Sequence, residues 1–113
     1  MVCERALAAS SLTVPSHASL MTSRFVRGHS VGHLNGASRL GEEPTLARLL
    51  RREGYETAAF VSNGVLDRKV GLDAGFDRYD DSLPDAEENR PEIFERVADR
   101  TTNLALAWLS ETR

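Results

Sequence analysis

The sequence predicts an α/β fold with a mainly parallel sheet, of which these 113 residues supply a section. A short segment at about 57–61 is apolar on both alternating faces, which is typical of a buried parallel strand. Helical patterns precede and follow it, at about 44–53 and about 91–110. Because one strand cannot form a sheet for at least three helices, we expect residues 1–113 to form an incomplete domain.

The first predicted element is a helix from about Pro15 to about Ser23, within a segment at about 12–23. Proline suits the first turn of a helix, where its missing N–H costs nothing and its fixed φ is already helical. The apolar face of this helix is predicted to contain Val14, Ala18, Met21 and Phe25, which recur at helical spacing.

The start of this helix is the strongest candidate for chemistry. Thr13 is expected just outside the helix, with Ser16 and His17 in its first turn. Unpaired N–H groups and the positive end of the helix dipole suit a sulfate or phosphate ester, which a hydroxyl held there could attack. The alternatives are a local hydrogen bond for Thr13, and capping or plain surface exposure for Ser16 and His17.

The segment from Thr13 to Thr22 resembles the nucleophile segment of the sulfatase family, within the alkaline-phosphatase-like superfamily. The family pattern is Cys or Ser, any residue, Pro, Ser and Arg, followed shortly by Leu-x-Thr-Gly. The similarity continues in order along most of the chain, at residues 28–31, 35–36, 44–47, 54–62, 71–77 and 79–81.

Three positions depart from the family pattern. Thr13 stands where sulfatases have the Cys or Ser that becomes formylglycine, His17 replaces the arginine, and Ser23 replaces the glycine. A threonine cannot be matured to formylglycine. Within the superfamily, a threonine nucleophile is typical of phosphodiesterases and phosphoryl transferases.

The resemblance implies a partial section of an alkaline-phosphatase-like three-layer domain and metal-assisted cleavage of sulfate esters. Thr13 would be both nucleophile and metal ligand, and His17 a second catalytic residue. The implied cofactor is a divalent cation, calcium first, with zinc or manganese as alternatives. The family's acidic ligands before and after this region match nothing in the sequence. Two alternatives therefore stay open: a phosphodiesterase or phosphoryl transferase that uses Thr13, and an inactive, truncated fragment.

Composition excludes several other classes of protein. The hydrophobic fraction of 41% and the charged fraction of 27% are ordinary for a globular chain, and a net charge of −3 argues against general nucleic-acid binding. Cys3 has no partner for an intramolecular disulfide. We expect no membrane-spanning segment, because no apolar run approaches about 20 residues. Nothing at the start reads as a signal peptide, so the compartment stays open.

The remaining elements follow from local signals. The helix at about 44–53 has Pro44 near its start, cations in its last turn and Gly54 beyond it. The last helix, at about 91–110, is expected to place Ile93, Val97, Leu104 and Trp108 in the core, and to pair Glu92 with Arg96. The segments at 24–43 and 65–88 are expected to be irregular.

Two other groups of residues invite a metal interpretation. His29 and His33 are four residues apart, but the neighbouring glycines disfavour a helix, so a loop turn is preferred. The second group is a set of acidic residues. It lacks the glycine and the terminal glutamate of an EF-hand loop, so a solvated acidic loop is preferred. This group comprises Asp77, Asp80, Asp81 and Asp85.

Overall fold

The computed structural model describes residues 3–32, 39–83 and 95–112. In this part of the chain, α-helices surround a two-stranded parallel sheet. The elements in order are α1 (Thr13–Thr22), α2 (Val26–His29), α3 (Leu46–Arg52), β1 (Ala58–Phe60), β2 (Arg78–Asp80) and α4 (Ala98–Glu111). None of the described helices is long and apolar enough to cross a bilayer.

Helix α1 begins two residues earlier than the sequence predicts. Leu12 is the N-cap with an extended backbone, and Thr13 is the first helical residue, not a residue outside the helix. Pro15 is consequently third in the helix, where its missing N–H still needs no acceptor. The helix ends at Thr22, and Ser23 follows in the left-handed region with φ of 55°.

The connection after α1, expected to be irregular, contains the short helix α2. Its C-cap is Ser30, which also adopts a left-handed backbone, with φ of 59°. Ser23 and Ser30 are the non-glycine residues of the described segments with positive φ. Ser23 stands where the sulfatase pattern that this segment resembles has glycine. Residues 28–31, Gly-His-Ser-Val, are similar to a His-Gly-Val turn of that family, and Ser30 stands in place of its glycine. Both serines therefore adopt a conformation that glycine adopts without strain.

Helix α3 is bounded by a cap at each end. Thr45 is the N-cap, and its hydroxyl accepts a hydrogen bond from the Arg48 N–H at 3.2 Å. Gly54 lies just beyond the helix with φ of 87°, the left-handed conformation expected for a glycine after a helix end. The helix spans Leu46–Arg52, against the predicted range of about 44–53.

Strand β1 occupies Ala58–Phe60 and pairs in parallel with β2, which the sequence analysis placed in a loop. The register joins Ala58 to Arg78 and Phe60 to Asp80. The alternation of β2 is hidden because its residues, Arg-Tyr-Asp, include two charged side chains. Two short 3-10 turns, Gly64–Leu66 and Arg68–Val70, lie in the connection between the strands.

Helix α4 begins at Ala98 rather than near residue 91, and residues 91–94 lie outside the described segments. Before it, Arg96 N–H donates to the Ser62 carbonyl at 2.8 Å, beside a β-bridge between Asn63 and Glu95. Arg96 is therefore not helical, contrary to the prediction. Glu92, its predicted partner, lies outside the described segments. Val97 is 68% exposed as the N-cap, so its assignment to the core is wrong.

The buried core lies between α1 and the segments that follow α2 and the 3-10 turns. Its fully enclosed members are Ala18, Val31, Leu40 and Leu72. Helix α4 contacts the sheet through Trp108, whose ring centroid lies 6.2 Å from that of Phe60. The core therefore packs one face of α1, through Ala18, against the segments that contain Val31, Leu40 and Leu72.

Candidate functional site

The first turn of α1 brings together the two residues that the sequence singled out for catalysis. Thr13 and His17 are both exposed, and His17 Nδ1 lies 2.8 Å from the Thr13 carbonyl oxygen. A carbonyl oxygen can only accept, so Nδ1 donates its proton to it. In the neutral ring this leaves Nε2 with its lone pair, as a base would need.

The first turn also carries backbone donors without a helical acceptor. Leu12 offers no side-chain cap, and no acidic residue lies in this turn. Pro15 lacks an N–H, while Ser16 N–H donates to the Leu12 carbonyl at 3.1 Å. The N–H groups of Thr13 and Val14 are therefore the donors left at the positive end of the helix.

His17 contributes to the lining of two cavities. The first, of about 310 Å³, also contacts Ser16, Ser19, Ser23 and Arg24. The second, of about 340 Å³, lies against the carboxyl end of β1 and includes Ser62 and Asn63 in its lining. Neither lining includes Thr13, which lies on the open surface at the start of the helix.

A buried pair that the sequence analysis missed lies behind this surface. Ser19 Oγ is 2.8 Å from His29 Nε2, and Val31 N–H donates to His29 Nδ1 at 3.1 Å. Burial lowers the pKa of His29, and the nearby Glu43 carboxylate opposes this shift only in part. Ser19 and His29 are ten residues apart, so no helical or strand spacing in the sequence could reveal the contact.

Both ring nitrogens of His29 are occupied by hydrogen bonds, so this side chain presents no lone pair to a metal. His33, its proposed partner, lies outside the described segments. His29 ends α2 and fixes the turn after it, which is a structural role in place of the expected simple loop turn.

The described members of the acidic group form ion pairs, whereas the sequence predicted a solvated acidic loop. Arg51 Nε lies 2.8 Å from Asp77, Arg96 Nη2 lies 2.6 Å from Asp80, and Asp85 is outside the described segments. Arg68 Nη2 lies 2.6 Å from Asp81. Each of these three carboxylates is therefore matched by a different arginine.

These pairs change the titration of their members. Hydrogen bonds from the Arg68 guanidinium lower the pKa of Asp81 to about 2. Hydrogen bonds from Thr57 lower the pKa of Asp77, with a smaller contribution from Arg51. Burial, reinforced by Asp81, raises the pKa of Tyr79 to about 12, and its hydroxyl donates to the Leu66 carbonyl at 2.7 Å.

A metal site is not assembled by the residues that the structure describes. Within residues 3–32, 39–83 and 95–112, no group of three or more His, Cys, Asp or Glu side chains converges on one point. The exposed Thr13 has no carboxylate hydrogen-bonded to it among these residues. The described donor set therefore does not fit a divalent cation at Thr13.

Comparison with known proteins gives one clear match. A family model described as Sulfatase matches residues 1–112, which is nearly the whole chain. Searches of curated proteins and of solved structures found no match. Members of the matched family are ester hydrolases that act on sulfate esters and generally use a divalent metal cation.

Proposed function

Because this chain belongs to the sulfatase family, we propose that it carries the nucleophile segment of a sulfatase-like hydrolase of sulfate esters. The observation that supports this most directly is the geometry of the first turn of α1. An exposed hydroxyl, Thr13, stands at the helix start in the segment that matches the family pattern. One turn later, His17 donates from Nδ1 to the Thr13 carbonyl and leaves Nε2 as a base.

In the proposed reaction, Thr13 Oγ1 attacks the sulfur atom of the ester. The bond from sulfur to the alcohol oxygen breaks, and the alcohol leaves with a proton. His17 Nε2 accepts the hydroxyl proton of Thr13 and passes it to the leaving oxygen. Water then attacks the sulfur atom of the sulfated threonine. The bond from sulfur to Thr13 Oγ1 breaks, hydrogen sulfate leaves, and Oγ1 takes back a proton. The free N–H groups of Thr13 and Val14 would donate to the sulfate oxygens.

Metal assistance belongs to the proposal at the level of the family. The family implies Thr13 as a metal ligand and calcium, zinc or manganese as the cation, although the described residues around Thr13 do not fit one. We attribute no step of the reaction to the cation, because the described residues do not form its site. The complete alkaline-phosphatase-like three-layer fold is likewise a proposal, since the described sheet has two strands.

The alternative substrate is a phosphate ester, and the identity of the nucleophile favours it. Thr13 cannot be converted to formylglycine, and a threonine nucleophile is typical of phosphodiesterases and phosphoryl transferases in the superfamily. The same first-turn N–H groups suit a phosphate as well as a sulfate. The third alternative is an inactive, truncated fragment.

Substrate turnover separates these three alternatives. The protein is incubated with para-nitrophenyl sulfate and with mono- and bis-para-nitrophenyl phosphate, each with added calcium, zinc or manganese. The proposal predicts release of para-nitrophenolate from the sulfate ester, at a rate that His17→Gln lowers and Arg27→Gln, on α2, does not. Preferential turnover of a phosphate ester would move the assignment to the second alternative. No turnover with any ester or cation would support the inactive fragment.

A further inference from the structure

The cavity of about 340 Å³ beside His17 lies against the same face of α1 as the proposed nucleophile. Thr13, His17 and Met21 follow one another at intervals of four residues, so they share one face of the helix. His17 and Met21 both contribute to the lining of the cavity. The cavity therefore adjoins α1 at the turns that directly follow Thr13.

The walls that face α1 are apolar and largely aromatic. Phe60, Phe76 and Tyr79 contribute to them, together with the aliphatic Leu66 and Leu72. The rings of Phe76 and Tyr79 are tilted by 52°, with their centroids 5.8 Å apart. The Tyr79 hydroxyl donates to the Leu66 carbonyl at 2.7 Å, so the polar end of this side chain is already satisfied. Such walls favour a planar aromatic ligand, because rings pack offset or edge-to-face against other rings.

Two polar side chains of the lining, those of Ser62 and Asn63, are engaged with other parts of the chain. Ser62 Oγ lies 2.7 Å from Thr101 Oγ1. Asn63 Nδ2 donates to Glu95 at 3.1 Å, and Asn63 Oδ1 accepts from the Val65 N–H at 3.0 Å. A ligand rich in hydroxyl groups would have to compete with these partners for its hydrogen bonds. Because buried hydroxyl groups without hydrogen bonds are unfavourable, these walls disfavour a sugar.

His17 links this cavity to the proposed reaction. In that reaction, His17 Nε2 passes a proton to the oxygen of the leaving alcohol, so this oxygen lies within hydrogen-bond distance of the ring. The rest of the alcohol continues beyond the oxygen, next to a residue that lines the cavity. The other cavity beside His17 is more polar, since its lining includes Ser16, Ser23 and Arg24.

We propose that the cavity lined by Phe60, Phe76 and Tyr79, here called the aromatic cavity, binds the alcohol portion of the ester, and that this portion is aromatic. The three rings pack against the ring of the alcohol, while His17 meets the oxygen that leaves. The proposal rests on the proposed hydrolase function. It applies to a sulfate ester and to a phosphate ester, since the alcohol portion is common to both.

The first test measures binding without turnover. The whole 113-residue chain is titrated with phenol, cyclohexanol and methyl glucoside, and the methyl and aromatic NMR signals are followed. We expect phenol to shift the signals of Met21, Leu66, Leu72 and Tyr79 in a saturable way. Cyclohexanol should bind more weakly, and methyl glucoside should leave the signals unchanged. The proposal is overturned if phenol shifts none of these signals, or if either other compound binds as tightly as phenol.

A pair of matched variants tests which cavity holds the ring. Phe76→Leu removes one ring and keeps the wall apolar, so it should weaken phenol binding about twofold to tenfold, the size expected for one aromatic contact. The control is Phe25→Leu, because Phe25 is 81% exposed and lines the other cavity beside His17. It should leave the affinity unchanged, and equal weakening in both variants would overturn the proposal. The signals of the parent chain test the same point without either variant.

Hydrolysis separates this proposal from the proposed function. Phenol binding needs neither the Thr13 hydroxyl nor a cation. A chain that binds phenol in the aromatic cavity but cleaves no ester would therefore overturn the hydrolase function, while the aromatic binding site would stand. A chain that cleaves para-nitrophenyl sulfate but binds no phenol would overturn the aromatic cavity alone.

Discussion

His29 Nε2 donates a hydrogen bond of 2.8 Å to Ser19 Oγ, which ties the middle of α1 to the end of α2. The direction follows from the other ring nitrogen, because Nδ1 accepts from Val31 N–H at 3.1 Å and cannot carry a proton. The imidazole must therefore be neutral in the folded chain. Protonation would bury a charge and set two N–H groups against each other.

This relationship predicts an acid-sensitive contribution to stability. Burial lowers the pKa of His29, so the unfolded chain binds a proton at higher pH than the folded chain does. Stability from this residue is complete above about pH 6.5, the unfolded value, and falls as pH decreases toward the folded pKa. Urea denaturation at pH 7.5 and 5.5 should show this loss in the parent and in His17→Gln. The loss should shrink in His29→Asn, and a folded-state pKa of His29 above about 6.5 by NMR would contradict the account.

The pair of Arg68 and Asp81 predicts a second transition at lower pH. Its hydrogen bonds lower the pKa of Asp81 to about 2, so the folded chain keeps this carboxylate ionised where the unfolded chain is protonated. Stability from the pair is present above about pH 4 and is lost as pH falls toward 2.

The check is the urea midpoint measured at intervals between pH 5 and pH 2. Asp81→Asn should begin less stable and show a shallower decline than the parent. The matched control is Glu42→Gln, because the Glu42 side chain is 99% exposed and its loss should leave the parent's slope unchanged. Identical slopes for the parent and Asp81→Asn would show that Asp81 does not drive the decline.

The left-handed backbone at Ser23 and Ser30 predicts that glycine stabilises both positions. A non-glycine residue with positive φ is strained by about 1 kcal/mol, which glycine relieves, although glycine makes the unfolded chain more flexible. We expect Ser23→Gly and Ser30→Gly each to raise the free energy of unfolding by up to about 1 kcal/mol.

The matched control is Ser110→Gly, because Ser110 is an exposed residue within α4 and has no positive φ. There the same substitution should destabilise the chain by about 0.5–1 kcal/mol. Thermal denaturation of the three variants gives the comparison. A loss of stability in Ser23→Gly or Ser30→Gly as large as in Ser110→Gly would rule out the left-handed assignment.

The contact between Phe60 and Trp108 predicts which residue docks α4 on the sheet. Their ring centroids are 6.2 Å apart in a tilted arrangement, and Trp108 is half-buried. Trp108→Ala should therefore cost about 2–3 kcal/mol, below the range for fully buried tryptophan. Leu106→Ala, at a position 57% exposed, should cost less than about 0.5 kcal/mol. Equal losses in urea denaturation would contradict this docking.

Local sequence signals predicted those parts of the fold that depend on local chemistry. The residues that bound α3 affect only the backbone next to them. Gly54, for example, follows the end of the helix with a positive φ. Strand β1 is apolar on both faces and needs no partner to be identified. Strand β2 was missed because its charged residues are held by distant partners: Arg96 binds Asp80 from 16 residues away. The predicted start of α4 was wrong because Arg96, just before the helix, is likewise held by distant partners.

The contacts of the candidate site also differ in whether a local sequence pattern could predict them. Thr13 and His17 lie one helical turn apart, so a correct helix prediction was enough to bring them together, although the start was misjudged by two residues. Ser19 and His29 meet only because α2 turns the chain back against α1. Arg96 meets Asp80 next to the β-bridge between Asn63 and Glu95, a contact across 32 residues. Such contacts depend on tertiary packing, which no local pattern encodes.

If Thr13 is the nucleophile, it carries the transferred group during the reaction, and the mass of the protein reports this directly. The chain is mixed with para-nitrophenyl sulfate or phosphate and each divalent cation, quenched in acid and mapped by peptide mass spectrometry. We expect one sulfuryl or phosphoryl group on Thr13, and loss of both the adduct and turnover in Thr13→Val. Near-UV circular dichroism is the check that the variant keeps the parent's fold. Undiminished turnover in Thr13→Val, or a parent that never acquires the adduct, would contradict the claim.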